Sequence, residues 1–200
     1  MRRFAIVVAG ALVLGGCGSV RYPTSYLLNL PAPPRSAPSR AMLGSLEVRE
    51  FRCPEYLCEG RIVYRPSPEE VGFYDHHRWA LNPRQAITQS VAAALRAHSL
   101  FRNVAVQQRG MGAAYVLTGS IERLEEVDAG RTVQAVCTIS AQIMDAQTGS
   151  VLWNDAASET VSVEPRNVAG VVSSLSSAAR TAVDRLVASA ANELASGQTQ

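Results

Sequence analysis

The sequence predicts an α+β fold in which a mainly antiparallel sheet carries two helices packed on one face. Residues 114–127, 131–144 and 150–163 alternate apolar with mostly polar side chains and are joined by glycine-containing turns, as in an antiparallel meander. Residues 83–98 and 167–195 instead repeat apolar side chains every three or four positions, as amphipathic helices do. The resulting order, β-β-β-α-β-β-β-β-α, favours helices on one face of the sheet.

Three short segments before the first helix are predicted to be strands. Residues 45–49 alternate, with Leu46 and Val48 on one face and polar side chains on the other. Residues 61–65 are rich in β-branched and aromatic side chains and stop at a Pro-Ser-Pro turn, and residues 71–79 have a similar composition. A further short strand is expected at 104–106, after the first helix.

Both helices carry sequence signals of their own. Asn82-Pro83 is typical of an N-cap followed by proline in the first helical turn, so the first helix begins there and continues to about His98. The C-terminal helix has an apolar stripe at three- and four-residue spacing. Its members are Val168, Val171, Val172, Leu175, Ala179, Val183, Leu186, Val187, Ala190 and Leu194.

The N-terminus has the organisation of an export signal. A cationic Met1-Arg2-Arg3 precedes an apolar run at 4–14, which is too short to span a bilayer, since spanning takes roughly 20 residues. The run ends at Leu14-Gly15-Gly16-Cys17, which resembles the bacterial lipobox. The alternative is a chance cysteine after an ordinary secretory signal.

The lipobox resemblance implies that residues 1–16 are a lipoprotein signal peptide. Cys17 would receive diacylglycerol on sulfur, and its new amine would be acylated by a fatty acid such as palmitate. Several acyl chains on one residue anchor a protein durably, whereas one chain binds only marginally. Gly18 stands where aspartate would retain an enteric lipoprotein in the inner membrane. It therefore favours the outer membrane, facing the periplasm, with the inner membrane left open.

Residues 31–40 are rich in proline, serine and alanine and are expected to form an extended linker. We therefore expect a lipidated N-terminus and tether at 17–41, with a possible first strand at 25–30. A single domain should follow at 42–196, and residues 197–200 should form a disordered tail.

Charge argues against a nucleic-acid partner. All 19 basic residues are arginine, and the formal net charge of +2 comes from Arg2 and Arg3. A chain that starts at Cys17 is formally neutral, whereas proteins that bind nucleic acids need a basic face to displace counterions from phosphates.

No catalytic or cofactor motif is visible. The sequence lacks G-x-S-x-G, a P-loop and G-x-G-x-x-G, so neither an enzyme nor a cofactor is predicted. His76 and His77 would point to opposite faces of a strand, which disfavours a shared metal ion. Glu122, Glu125 and Glu126 are interpreted as a solvated strand end.

Three cysteines remain beyond Cys17. Cys53 and Cys58 could form a disulfide that closes a small loop in an oxidising periplasm. A zinc site would normally need a second pair of ligands, and Cys137 alone does not supply it. Cys137 lies on the inward phase of its strand and is expected in the core.

The assembled motifs resemble one family. In order they are the lipobox, Tyr-Leu-Leu at 26–28, "PEYLCEGRIVYR" at 54–65, "RWA" before the helix, "YVLTGSIERLEE" at 115–126, "TISAQIMDAQTGSVLW" at 138–153 and the long final helix. They resemble the ABC-type transport auxiliary lipoproteins, the PqiC-like group. The family residues matched here are Pro54, Tyr56, Leu57, Ile62, Val63, Arg65, Arg78 and Trp79.

Six residues are candidates for either a partner contact or a structural motif: Tyr56, Leu57, Tyr64, Arg65, Arg78 and Trp79. Tyr64, Arg65 and Trp79 are expected near the junction of the sheet and the first helix. Cys58 stands where aspartate is commoner in the family. The loop of this chain therefore differs from the family pattern at a position that a partner contact would involve.

The resemblance implies a periplasm-facing auxiliary lipoprotein. It would act with an MCE-domain protein and an inner-membrane transporter component in moving lipids between the membranes, in support of envelope integrity. A tethered docking module of this kind could also form a homo-oligomer. Two alternatives are a lipid- or solute-binding lipoprotein that holds its ligand between helix and sheet, and a cell-envelope hydrolase.

Overall fold

The computed structural model describes residues 22–34, 43–107, 112–128, 130 and 132–196. The predicted signal peptide, Cys17, most of the Pro-rich linker and the C-terminal tail at 197–200 lie outside the described residues. Within the described part, no helix is long and apolar enough to cross a membrane.

The α+β prediction is confirmed, and the observed order adds two elements to the predicted one: the strand β1, which was expected only as a possible strand, and one helical turn. In chain order the elements are β1 (Thr24–Tyr26), β2 (Leu43–Val48), α1 (Glu55–Cys58), β3 (Arg61–Ser67), β4 (Glu70–Trp79), α2 (Pro83–His98), β5 (Phe101–Val106), β6 (Tyr115–Asp128), β7 (Val133–Asp145), β8 (Val151–Ser162) and α3 (Val168–Ser196). The helix α1 is one turn of four residues, which is too short to be visible as a periodic pattern in the sequence.

The sheet is organised around β6, which has 14 residues. On one side β6 pairs antiparallel with β7 along its length, and β7 pairs antiparallel with β8, so these strands form the predicted meander. On its other side β6 is long enough to take two parallel partners end to end, β2 at its start and β3 at its finish. The sheet is therefore mixed, although its longest ladders are antiparallel.

The gap between β2 and β3 along β6 is filled by the loop that carries α1. Arg52 forms an isolated parallel bridge with Ser120 of β6. The backbone N–H of Arg52 donates to the carbonyl of Gly119 at 2.9 Å, and the N–H of Ile121 donates to the carbonyl of Arg52 at 2.8 Å. The α1 loop is thus held against the middle of the sheet.

Both long helices are capped by asparagine. The Asn82 side chain accepts from the N–H of Arg84 at 2.9 Å, with Pro83 in the first turn as predicted. Asn167 accepts from the N–H of Gly170 at 2.9 Å and so caps α3. Such caps satisfy backbone donors that have no partner inside the helix.

The helices pack on one face of the sheet, with α3 against β7, β8 and α2. The indole N–H of Trp153 on β8 donates to Ser189 Oγ of α3 at 3.3 Å, which places this face of the meander under the helix. The inward residues of β7 are all buried: Ala135, Cys137, Ile139, Ala141 and Ile143.

The N-terminal boundary of the domain differs from the expectation that residues 17–41 form a tether. Strand β1 is shorter and earlier than the expected 25–30, and it pairs in parallel with β4, with Tyr26 opposite Trp79. The N–H of Asn29 donates to Ser176 Oγ of α3 at 3.0 Å, and Leu28 and Leu30 pack against the core. Strand β1 and the segment after it therefore belong to the folded domain, because burying Leu28 and Leu30 removes apolar surface from water.

Candidate functional site

A buried carboxylate on β6, Glu125, connects several segments of the fold. Its side chain is fully buried, yet two guanidinium groups reach it. Arg65 of β3 donates from Nε and Nη2 to the two oxygens, both at 3.0 Å, and Arg123 donates from Nε at 2.7 Å. Arg65 also donates to the Pro68 carbonyl at 2.9 Å and to the Tyr56 hydroxyl of α1 at 3.5 Å. We call these residues the Glu125 cluster.

The Glu125 cluster joins three segments that are distant in sequence. The two-pronged contact between Arg65 and Glu125 bridges 60 residues and fixes the geometry of both groups. The hydrogen bond to Glu125 raises the pKa of the Arg65 guanidinium, and partial burial opposes this rise. The Arg65 guanidinium therefore keeps its charge and does not act as a proton donor in an acid–base reaction. Its contacts connect β3 and α1 to β6.

The next residue, Glu126, lies on the opposite face of the sheet. In the ladder Glu125 is opposite Val136, whereas Glu126 is opposite Ala135, on the face covered by the helices. Neighbouring residues of a strand point to opposite faces, so two adjacent glutamates enter different environments.

Glu126 is 9% exposed and has one polar partner among the hydrogen bonds found in the described residues, the Tyr74 hydroxyl of β4, which donates at 2.5 Å. The Tyr64 ring lies over Gly72 and contacts the Tyr74 ring, with centroids 5.2 Å apart. Burial raises the pKa of Glu126, the hydrogen bond from Tyr74 lowers it, and nearby Asp128 raises it. Burial, followed by the contact with Glu126, raises the pKa of Tyr74 well above its ordinary value.

A disulfide loop lies beside the Glu125 cluster. The structure joins Cys53, just before α1, to Cys58, the last residue of α1, with Cα atoms 6.4 Å apart. Asn82, the cap of α2, donates from its side-chain amide to the Cys58 carbonyl at 2.9 Å, and Arg84 approaches Cys53 Sγ at 3.8 Å. Leu57 of α1 is buried in the core. The loop thus connects α1 to the start of α2, and oxidation of this pair in the protein stays a prediction.

The predicted candidate residues divide by environment. Tyr56 and Arg65 meet in the Glu125 cluster, and Tyr64 meets Tyr74 on the other face of the sheet. Leu57 and Trp79 are 2% and 6% exposed and belong to the core, so their contribution is to packing. The structure therefore places five of the six candidates in structural contacts.

The sixth candidate, Arg78, is exposed on β4 opposite Arg61 of β3. Arg61 pairs with Glu59 and stacks on the Phe73 ring at 4.0 Å. For Arg78 no hydrogen bond or ion pair is found among the described residues, so its guanidinium stands open to a partner outside the fold.

The interpretation of the three glutamates as a solvated strand end is wrong for two of them. Glu122 is exposed, but Glu125 and Glu126 are 0% and 9% exposed. The bulge between Ile121 and Arg123 shifts the phase of β6, and partners from β3 and β4 close over the strand end. Arg123 and Tyr74 were not singled out in the sequence: Tyr74 meets Glu126 across 52 residues of chain, and the contact of Arg123 with Glu125 on the same strand depends on the bulge in β6.

Histidines and the free cysteine offer no metal site in the described part of the chain, where no group of three potential ligands converges. His77 contacts the rings of Tyr26 and Tyr74, with centroids 5.7 and 6.0 Å away. Cys137 is buried, and burial raises the pKa of its thiol to about 12. Such a thiol is protonated at neutral pH and is a poor nucleophile.

One serine contacts a carboxylate on the surface of the helix layer. Ser189 Oγ donates to Asp155 at 2.5 Å. This bond and one from the N–H of Ala156 hold the pKa of Asp155 below its usual range. A carboxylate with a lowered pKa is a weak general base, so the pair does not form an activated nucleophile.

The face of the meander away from the helices is polar. It forms an open groove of about 510 Å³ that also includes Arg52. The side chains across its floor are short or uncharged: Thr118, Ser120, Ser140, Gln142 and Asn154.

The comparison with protein families identifies the class. Residues 26–188 match the family described as "ABC-type transport auxiliary lipoprotein component", and the chain belongs to this family. The match begins at Tyr26, the last residue of β1, and so includes the segment with Leu28 and Leu30 that packs on the core. No curated protein sequence matches the chain.

Several solved structures share the fold. Protein XCC0632 from Xanthomonas campestris is 20% identical with a TM-score of 0.77, and the alignment covers 88% of this chain and all of that one. The hypothetical protein CT253 from Chlamydia trachomatis is 7% identical with a TM-score of 0.52, over 77% and 99% of the two chains. A PelC dodecamer from Paraburkholderia phytofirmans is 19% identical with a TM-score of 0.50, over 80% and 94%.

Proposed function

We propose that the protein is a lipid-anchored, non-catalytic accessory subunit of an ABC/MCE-type system that moves lipids between the inner and outer membranes. The observation that carries this proposal is the family match over residues 26–188, together with the lipobox that ends at Cys17. In this role the protein supports envelope integrity by docking transport components at a membrane surface.

The anchor is Cys17, acylated and made the first residue of the mature chain. Gly18 favours the outer membrane, with the domain in the periplasm. Holding the domain at a membrane raises its effective concentration for partners at the same surface.

The expected partners are an MCE-domain protein and an inner-membrane transporter component. The uncovered polar face of the meander supports protein contacts. Homo-oligomerisation is supported by the fold shared with the PelC dodecamer and by the single-sided pairing of β5 and β8, which leaves each an edge strand.

A transport accessory is favoured over the two alternatives. The interface between helices and sheet is filled with buried side chains such as Leu175, Ala179 and Ile139, so a ligand there would have to displace the core. The carboxylates described above are bound to arginine, tyrosine or serine, and these contacts hold the fold together.

The deciding experiment is crosslinking of the full-length protein in membranes, followed by purification and identification of its partners. We expect an MCE-domain protein to co-purify with the wild-type chain and to be lost with Cys17→Ala. Ser19→Ala, which keeps the lipobox cysteine, is the matched control and should retain both the anchor and the partner. Recovery of the wild-type protein from membranes without any transport component would contradict the proposal.

A further inference from the structure

The N-terminal edge of the sheet carries exposed apolar side chains. Among the described residues, Tyr22 is 84% exposed and Leu27 is 60% exposed, and they flank the edge strand β1. The other two large apolar side chains with comparable exposure are Val151 and Leu152, at the start of β8. Tyr22 and Leu27 lie on either side of β1, so this edge of the sheet presents two large apolar side chains to solvent.

The proposed anchor is very close to this edge along the chain. Only five peptide steps separate Cys17 from Tyr22, so the two Cα atoms are at most about 18 Å apart. A domain of this size has a radius of gyration of about 15 Å and is about 40 Å across. The leash is therefore shorter than the domain, and it favours one side of the domain for contact with the bilayer.

The attachment point on the domain is firm. Strand β1 pairs with β4, and the N–H of Ala80 donates to the Tyr26 carbonyl at 2.7 Å. Asn29 then connects the following segment to Ser176 of α3. Because β1 is part of the folded sheet, the short leash restrains the orientation of the whole domain.

We propose that the edge formed by β1 and the adjoining end of β4 lies against the phospholipid surface, with Tyr22 and Leu27 in the headgroup region. This inference rests on the proposed anchor at Cys17. A tyrosine ring is amphipathic and is favoured at membrane interfaces, and the leucine side chain removes apolar surface from water. Arg78 lies in register with Ser25 of β1, is exposed, and can donate to lipid phosphate.

The opposite edge of the sheet provides an internal control. The strands follow the order β1, β4, β3, β6, β7, β8, so β8 is five strand spacings from β1, or roughly 24 Å. Leu152 lies at that distant edge, beyond the reach of the leash. Exposed apolar side chains occur at both edges, whereas the short leash reaches only the edge that carries β1.

The test uses the full-length lipidated protein in vesicles that contain phospholipids brominated near the headgroup. Tyr22→Trp, Leu27→Trp and the control Leu152→Trp each add one indole to a background of two native tryptophans, Trp79 and Trp153, which are buried. The added emission at positions 22 and 27 should be mostly lost in brominated vesicles, and the added emission at 152 should be unchanged.

Two measurements separate the anchor from the orientation. Intact mass and vesicle flotation report whether the chain is acylated and membrane-bound. Absence of acylation would overturn the proposed anchor and this inference with it. Equal quenching at all three positions of an acylated, floating protein, or no quenching at 22 and 27, would overturn only the orientation, and the latter result would assign this edge to a protein partner.

Discussion

Glu125 and Glu126 are neighbours on β6, and both are removed from water, yet they are accommodated by different means. Glu125 faces two arginines and is held by charge-assisted hydrogen bonds. Glu126 points to the helix-covered face, where its hydrogen-bond partner is the neutral hydroxyl of Tyr74. A buried carboxylate is costly unless it is paired or hydrogen-bonded, and the two residues differ in the charge of the partner: two guanidinium groups for Glu125 and a neutral hydroxyl for Glu126.

The difference teaches what each residue does for the fold. The Glu125 cluster fixes the position of β3 and α1 against β6, so its removal leaves arginines without their partner. The Tyr74–Glu126 pair lies at the end of the helix-covered face. Burial at this position disfavours the charged form of the Glu126 carboxylate. The predictions that follow test this contrast.

Glu125→Gln should have the largest effect. It removes the negative charge between Arg65 and Arg123, and we expect a loss of about 3 kcal/mol in the free energy of unfolding. Urea denaturation followed by fluorescence of the buried Trp79 and Trp153 would measure it. Glu122→Gln, on the exposed part of the same strand, is the control and should change stability by less than about 0.5 kcal/mol. Equal effects of the two substitutions would contradict a structural role for the cluster.

Opening the disulfide loop should have the next largest effect, because the loop supports α1 and the Tyr56 hydroxyl beside Arg65. The loop is short, and chain-entropy arguments give a loss of about 2 kcal/mol for Cys53→Ser combined with Cys58→Ser. A reducing agent should lower the stability of the wild-type protein to the same level and leave the double variant unchanged. If the wild-type protein does not respond to reductant, the pair is not oxidised.

Tyr74→Phe should have a smaller effect, on the other face of the strand. It removes the one hydrogen bond found for Glu126 among the described residues while keeping the ring contact with Tyr64, and we expect a loss of about 1 kcal/mol. Tyr64→Phe, which leaves that hydrogen bond in place, is the matched control. A larger loss for Tyr64→Phe than for Tyr74→Phe would mean that the hydrogen bond contributes little.

The sequence predicted the elements well because their signals are local. Alternation on β7 and the apolar stripe of α3 identify the side chains that face the core, and Asn82-Pro83 marks the start of α2. The sequence did not predict which distant segments pair or contact each other. The parallel pairing of β1 with β4 and the contact between Arg65 and Glu125 both join distant segments, and single-sequence periodicity carries no information about such pairs.

The segment before the linker is a second example. The composition of residues 31–40 predicted an extended linker with only a possible strand before it, and the packing of Leu28 and Leu30 on the core lies beyond what local composition can report. The anchor motif, in contrast, is a local signal that can be identified in the sequence. The short distance along the chain from Cys17 to β1 restrains the domain only because β1 belongs to the sheet, and the sequence alone does not show this pairing.

Glu126→Gln should have the smallest effect at neutral pH, and it gives the clearest contrast with Glu125→Gln. Because burial raises the pKa of Glu126 in the folded protein, folding favours proton uptake there. The contribution of Glu126 to the free energy of unfolding is fully present below its unfolded pKa of about 4.3. This contribution is lost as the pH rises through the raised pKa of the folded protein. Glutamine keeps an acceptor for Tyr74 and carries no charge. The variant should match the wild-type protein near pH 4 and equal or exceed its stability at pH 7, as measured by urea denaturation across this range. A loss at pH 7 comparable to that of Glu125→Gln would show that the two carboxylates are stabilised in the same way.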